Sequence, residues 1–191
     1  MLASAFCGSV GVEKYVALQD AWLGRGLPKE TLHVRLIAGR KFHDVLWAGG
    51  TPLISDRVLQ FLSKEGITGW STFPVEILDK AGRTVTVYHG FRVTGRCSMI
   101  TLSKGYSELI YEQNPRGLFP HYKGIYFDKA TWDGSDVFTS EDPSTAWVLA
   151  TEQFKQIFES NRITNCEFTP ISEVQLLASD QQPILTTDRK N

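Results

Sequence analysis

Two stretches of the chain decide how it folds: Leu53-Ile-Ser-Asp-Arg-Val-Leu-Gln-Phe-Leu-Ser-Lys-Glu-Gly-Ile-Thr-Gly-Trp-Ser-Thr-Phe-Pro-Val and, 96 positions later, Leu149-Ala-Thr-Glu-Gln-Phe-Lys-Gln-Ile-Phe-Glu-Ser-Asn-Arg-Ile-Thr-Asn-Cys-Glu-Phe-Thr-Pro-Ile. Five positions are identical: Leu53/Leu149, Gln60/Gln156, Ile67/Ile163, Thr68/Thr164 and Pro74/Pro170. The residue kinds agree further, with Ser55/Thr151, Asp56/Glu152, Val58/Phe154, Phe61/Ile157, Leu62/Phe158 and Val75/Ile171 paired. Self-similarity at a fixed offset is the mark of a repeated structural unit. A shorter echo, Asp44-Val-Leu against Asp136-Val-Phe, precedes it with four extra residues in the second copy. The repeat therefore spans 44–78 and 136–174.

Each copy carries the same local instructions. Ser55 and Thr151 suit a helix N-cap, where a hydroxyl accepts from an unpaired backbone N–H, and the following acid sits at the positive end of the helix dipole. Val58, Phe61 and Leu62, like Phe154, Ile157 and Phe158, then recur at i, i+3 and i+4, the spacing of one apolar helix face. Phe61 and Phe158 are expected in the core. Gly66 is placed to end the first helix in a left-handed conformation, and Asn161 or Arg162 the second. Alternation after Ile-Thr predicts an extended strand in both copies, with its proline at a strand start or an edge.

Outward from the repeat, Val75, Ile77, Val85 and Val87 flank Asp79-Lys-Ala-Gly-Arg and predict a hairpin. Phe91-Arg-Val-Thr and Gly124-Ile-Tyr-Phe-Asp are further short strands. Glu13 to Leu23 and Leu32 to Ala38 fit either a helix or a strand. The sum is an α+β fold in a single compact domain, residues 1–191, with two related halves: about 1–100 and about 101–191. Each half holds a helix followed by a strand, and antiparallel hairpins complete the fold.

Composition sets outer limits. The 191 residues are 42% hydrophobic and 21% charged, which fits one globular domain able to build a core without metal or disulfide staples. Twenty basic and 21 acidic side chains leave a formal charge of −1, so no global field attracts nucleic acid or an anionic membrane. Cys7, Cys97 and Cys166 are odd in number and widely spaced, as expected of reduced thiols in a cytosol. The opening Met1-Leu-Ala-Ser-Ala-Phe-Cys-Gly has no basic n-region, which argues against a cleavable signal peptide. A cytoplasmic protein is expected.

The helix led by Ser55-Asp56-Arg57 and running to Ile67-Thr68-Gly69 and Pro74, with its echo from Thr151-Glu152-Gln153-Phe154 to Ile163-Thr164 and Pro170, resembles a known family. It is that of the bacterial polymorphic-toxin immunity proteins first described from myxobacterial kin-discrimination loci. The second copy departs from the pattern in having Asn165 in place of glycine. The resemblance implies a protective inhibitor that binds the toxin of its own cell, often a secreted effector with a nuclease domain. It implies no catalytic residues, no cofactor and no direct contact with nucleic acid or membrane.

The motifs of common chemistries are weak. Gly90-Phe-Arg-Val-Thr-Gly95-Arg96-Cys97 lacks the lysine and Ser/Thr of a P-loop and reads as a glycine-bounded strand. Cys7, Cys97, Cys166, His33, His43, His89 and His121 show no zinc spacing. The strongest candidate is an acidic segment, where Asp128, Asp133, Asp136, Glu141 and Asp142 stand against Lys129 alone, with Trp132 and Phe138 interleaved. Acid around an aromatic anchor suits a basic protein partner, because charge steers encounter and a buried Trp supplies binding energy. Trp47, before Gly49-Gly50, is the corresponding exposed aromatic of the first half, whereas Trp70 and Trp147 are expected to pack within the repeat. The alternative is a small metal-dependent hydrolase or nuclease using Asp133, Asp136 and His121.

Overall fold

The computed structural model describes residues 6–7, 12–28, 30–35, 42–85, 87–102, 105–144 and 146–185. The reading of the Met1–Gly8 opening lies outside them except for the backbone of residues 6 and 7, as do residues 36–38 of the ambiguous Leu32–Ala38 stretch. In chain order the elements begin with β1 (Phe6–Cys7), α1 (Val12–Trp22), β2 (Leu32–Arg35), β3 (Val45–Ala48), β4 (Thr51–Ser55), α2 (Asp56–Lys64), β5 (Trp70–Phe73), β6 (Val75–Leu78), β7 (Thr84–Val85) and β8 (Tyr88–Val93). The second half adds β9 (Gly95–Cys97), β10 (Ile100–Thr101), β11 (Glu108–Asn114), β12 (Gly117–Lys123), β13 (Tyr126–Phe127), β14 (Val137–Ser140), β15 (Val148–Ala150), α3 (Glu152–Ser160), β16 (Gln175–Leu177) and β17 (Ile184–Leu185). This is an α+β fold of several small, mostly antiparallel sheets. No described helix is long and apolar enough to cross a membrane.

Helices α2 and α3 fall at the 96-residue offset residue for residue. Ser55 Oγ accepts from Val58 N and Thr151 Oγ1 from Phe154 N, each at 3.4 Å, as the N-cap reading expects. At the other end Glu65, Gly66 and Ile67 donate to Phe61, Ser63 and Leu62, and Asn161, Arg162 and Ile163 donate to Ile157, Glu159 and Phe158. Gly66 and Arg162 both hold positive φ, 66° and 51°. Val58 and Leu62, with Phe154, Ile157 and Phe158, are buried, each such side chain contributing about 1.5–3 kcal/mol by leaving water. Phe61 is only half-buried and lies beneath Arg57, whose guanidinium carbon is 5.2 Å from the ring centroid, so its place in the stripe is the margin rather than the centre.

The two copies hold each other through swapped hydrogen bonds. Asp136 of the second copy receives Thr68 of the first: its Oδ2 accepts from Thr68 N at 2.9 Å and Oγ1 at 2.8 Å, while its Oδ1 accepts from Thr151 Oγ1 at 3.0 Å. Reciprocally, Asp44 Oδ2 accepts from Thr164 N at 3.3 Å and from Arg57 at 2.8 Å, and Ser55 Oγ reaches Oδ1 at 3.5 Å. Within each copy an equivalent backbone bond ties the helix cap to the same aspartate, Ser55 N donating to Asp44 O and Thr151 N to Asp136 O. Gly69 and Asn165 occupy equivalent positions with φ of 82° and 70°, the conformation glycine enters freely and asparagine tolerates better than most residues. A Cβ on Gly69 would stand 2.1 Å from the Val137 carbonyl oxygen, whereas Asn165 Nδ2 donates to Val45 O at 2.7 Å. One hydrophobic cluster contains Val58, Leu62 and Val45 from the first copy with Val137, Phe154 and Phe158 from the second.

After the helices the copies diverge. In the first, Trp70–Phe73 is a strand beside β8 in the sheet ordered β1-β3-β4-β8-β5, and Pro74 separates it from β6. The strand expected in the second copy does not form: residues 166–170 are irregular and Ile171–Glu173 turn, with Glu173 N donating to Pro170 O. Its aromatic Phe168 instead packs edge-on against Phe154 and Phe158. The Asp79 hairpin forms as β6–β7, with Ile77 opposite Val85. The ambiguous 13–23 stretch is helical, burying Leu18, Ala21 and Trp22 at i, i+3, i+4.

Candidate functional site

The acidic segment follows β13 and runs through β14 into the connection to β15. Asp128 Oδ1 accepts from Ala130 N at 3.0 Å and starts a single 3-10 turn, Lys129–Thr131. Asp133 ties the segment to β9: its Oδ2 accepts from Arg96 N at 2.8 Å and its Oδ1 from Ser135 N at 2.9 Å. Asp142 accepts from Ser144 N at 2.9 Å, and Glu141 N donates to Cys97 O at 2.9 Å. Asp133, Glu141 and Asp142 are exposed, Asp128 and Asp136 half-buried. Among the described residues only Glu141 of these five acids has a carboxylate that accepts no hydrogen bond and makes no close ion pair, though it lies within the electrostatic reach of Arg96.

These bonds govern protonation. At Asp136 burial pushes the carboxyl pKa up, but the donors of Thr68 and Thr151 outweigh it and hold the group below the usual carboxylate value. Asp133 follows the same balance, burial opposed by donors from Ser135 and Arg96 and by the Arg96 charge. Asp142 is lowered chiefly by the Ser144 backbone N–H. All three carboxylates are therefore fixed anions whose charge also braces the chain.

Trp132 turns inward. Its Nε1 donates to Ser135 O at 3.1 Å, and its ring lies 5.2 Å from Phe138 and 6.3 Å from Phe127. Trp47 corrects the expectation of an exposed aromatic: it is 6% exposed, and its Nε1 donates to Asn165 O at 2.9 Å, making it part of the seam between the copies. Trp70 stacks on Phe91 at 6.1 Å. His121, on β12, has Nδ1 3.1 Å from Phe119 O and 3.9 Å from Glu112. No group of three His, Cys, Asp or Glu side chains suited to a metal ion occurs among the described residues, so Asp133, Asp136 and His121 do not form one.

Beside the acidic segment the second copy opens into a cleft of about 810 Å³ along β15, α3 and residues 166–174. In the first copy the corresponding strand β4 has β8 beside it, whereas β15 is the edge of its three-stranded sheet. The cleft floor reaches buried Val45, Ile54, Phe91 and Phe158, and its mouth passes exposed Ala146, Ala150, Glu152, Glu167 and Ile171. Four of the five tryptophans, Trp22, Trp47, Trp132 and Trp147, line it. Cys166 is in the wall, and burial pushes its thiol up to about 12, so it is an un-ionised, inert thiol. Sequence reasoning singled out Trp132 and Trp47 as partner-contacting aromatics and missed the cleft that both line; the available signal was that Phe154 and Phe158 replace Val58 and Leu62, enlarging the aromatic content of the second copy. A comparison of the chain with protein-family models and with curated proteins finds no match.

Proposed function

We propose that the protein is an immunity-type inhibitor that binds a toxin protein of its own cell stoichiometrically and carries out no turnover. The observation carrying this reading is the pre-fixed acidic segment. Asp128, Asp133 and Asp142 hold its conformation through their own backbone bonds, leaving exposed negative charge with little ordering left to lose on association. Such a surface is complementary to a basic, nucleic-acid-cutting enzyme, and complementary charge raises the encounter rate and penalises wrong partners. The repeat resemblance supports the same class. Inhibition would act by covering or distorting the partner's active site from a cytoplasmic pool.

Tagged full-length protein expressed in its native cell should retain one partner in stoichiometric amount whose toxicity this chain suppresses. With that partner, Glu141→Gln combined with Asp142→Asn should slow association about fivefold at low salt and flatten its salt dependence. These two substitutions are preferable to changes at Asp133 and Asp136, whose carboxylates bind other elements of the fold, because the Glu141 carboxylate accepts no hydrogen bond among the described residues and an amide oxygen at position 142 can still accept from Ser144 N. An unchanged rate would remove the segment from the interface. Metal-dependent nucleic-acid cleavage by the pure protein, lost on Asp133→Asn or His121→Ala, would replace the inhibitor by the hydrolase.

A further inference from the structure

The cleft is a second, chemically distinct feature. A void lined by aliphatic and aromatic groups holds water poorly, because water needs two to four polar partners. A volume of about 810 Å³ lies within the roughly 300–1,000 Å³ that small-molecule sites occupy. Its depth separates it from a flat protein-docking face, since it reaches side chains of the joint core such as Val45 and Phe158. Wall contributions come from separated parts of the chain: the Gly49-Gly50 turn, β15, α3 and the irregular 166–172 segment. The mouth supplies the polar information. Lys155 is already engaged, its Nζ 3.3 Å from Glu152 and 3.8 Å from Glu159. Glu167 is exposed there, and its carboxylate has no hydrogen-bond or ion-pair partner among the described residues.

We infer that this cleft is a binding site for a small apolar molecule bearing one cationic end, the apolar body lying among the aromatic rings and the cation meeting Glu167. Burial of the body supplies affinity, and the unpaired carboxylate, assisted by ring faces that attract cations, supplies the sign preference. An anionic amphiphile of the same length meets Glu167 unfavourably and finds Lys155 occupied. The site is independent of the toxin-binding reading and stands or falls without it.

Three probes share one chain and differ in their head groups: octyltrimethylammonium, 1-octanol and octanoate. Each is titrated into the full-length protein, with intrinsic tryptophan fluorescence and calorimetry as readouts. The expected result is saturable one-to-one binding, with the cation at least tenfold tighter than octanoate. Glu167→Gln should bring the cation to the affinity of octanol and leave octanol unchanged. Ala150→Phe, at the exposed mouth, should weaken all three at least tenfold without lowering the melting temperature; Ala146→Phe serves if that variant is unstable. Absence of saturable binding by all three probes overturns the site, as does equal binding by the mouth-filling variants. Octanoate binding as tightly as the cation overturns the assignment of Glu167.

Discussion

The first copy of the repeat, residues 44–78, and the second, residues 136–174, share the side-chain cap that starts their helices and the three backbone bonds that end them, yet only one is closed by a sheet. In the first, β4 is followed by α2 and then by β5, and β8 lies between the two strands. In the second, β15 is left as an edge and the chain after α3 stays irregular, so aromatic rings and a cleft stand where a strand would have packed. The hairpins differ as well. Gly49-Gly50 alone joins β3 to β4, whereas residues 141–147 join β14 to β15 and bring Glu141 and Asp142 to the surface. A shared internal frame thus leaves the outer surface of one copy free to acquire chemistry, in line with function residing in sites grafted onto folds.

Substitution pairs break this comparison at graded cost. Phe158→Ala should lose about 3–5 kcal/mol as a buried large-to-small change, against about half of that for half-buried Phe61→Ala. Equal losses in denaturant melts would mean that the two helices are buried alike. Gly69→Ala should cost about 3 kcal/mol, combining a left-handed conformation with a Cβ driven at the Val137 carbonyl, whereas Asn165→Gly should cost about 1 kcal/mol for its bond to Val45 O. If Gly69→Ala were as mild as Asn165→Gly, the close approach at Val137 would be wrong.

Asp136→Ala should destabilise by about 2–3 kcal/mol, since Thr68 and Thr151 lose a charged acceptor, and Asp44→Ala by about 1 kcal/mol, because two of its contacts are long, 3.3 and 3.5 Å, and its short one is to the half-exposed Arg57. The pH dependence sharpens the point. A carboxyl lowered in the folded state contributes stability that is present above its unfolded pKa of about 3.9 and lost as pH falls through the folded value. Melting temperature should therefore fall less steeply on acidification below about pH 4 in Asp136→Asn than in the wild type. Some slope should remain, because Asp133 and Asp142 are lowered too. Identical slopes would show that Asp136 is not held as an anion.

Much of the frame is legible in the chain itself. Ser55 and Thr151 announce helix starts by local hydrogen bonding, and the i, i+3, i+4 stripes announce buried faces, because both signals depend on neighbours in sequence. The second-copy strand was misread because alternation in Phe168, Pro170 and Ile171 describes a residue pattern, while a strand also needs a backbone partner. Trp47 was misplaced for a related reason: the Gly49-Gly50 turn suggests exposure, but Asn165, more than a hundred residues away, covers it.

The sequence alone therefore determined the repeated helices, their caps, their apolar faces and the acidic composition of 128–142, all consequences of short-range geometry. Tertiary structure decided that Asp44 and Asp136 exchange partners between copies, that Asp133 ties the acidic loop to the Arg96 backbone, and that an aromatic cleft opens beside β15. Those outcomes depend on which distant segments meet: Thr68 lies 68 residues from Asp136 and Thr164 lies 120 from Asp44, and contacts at such separations leave no periodic trace in the chain.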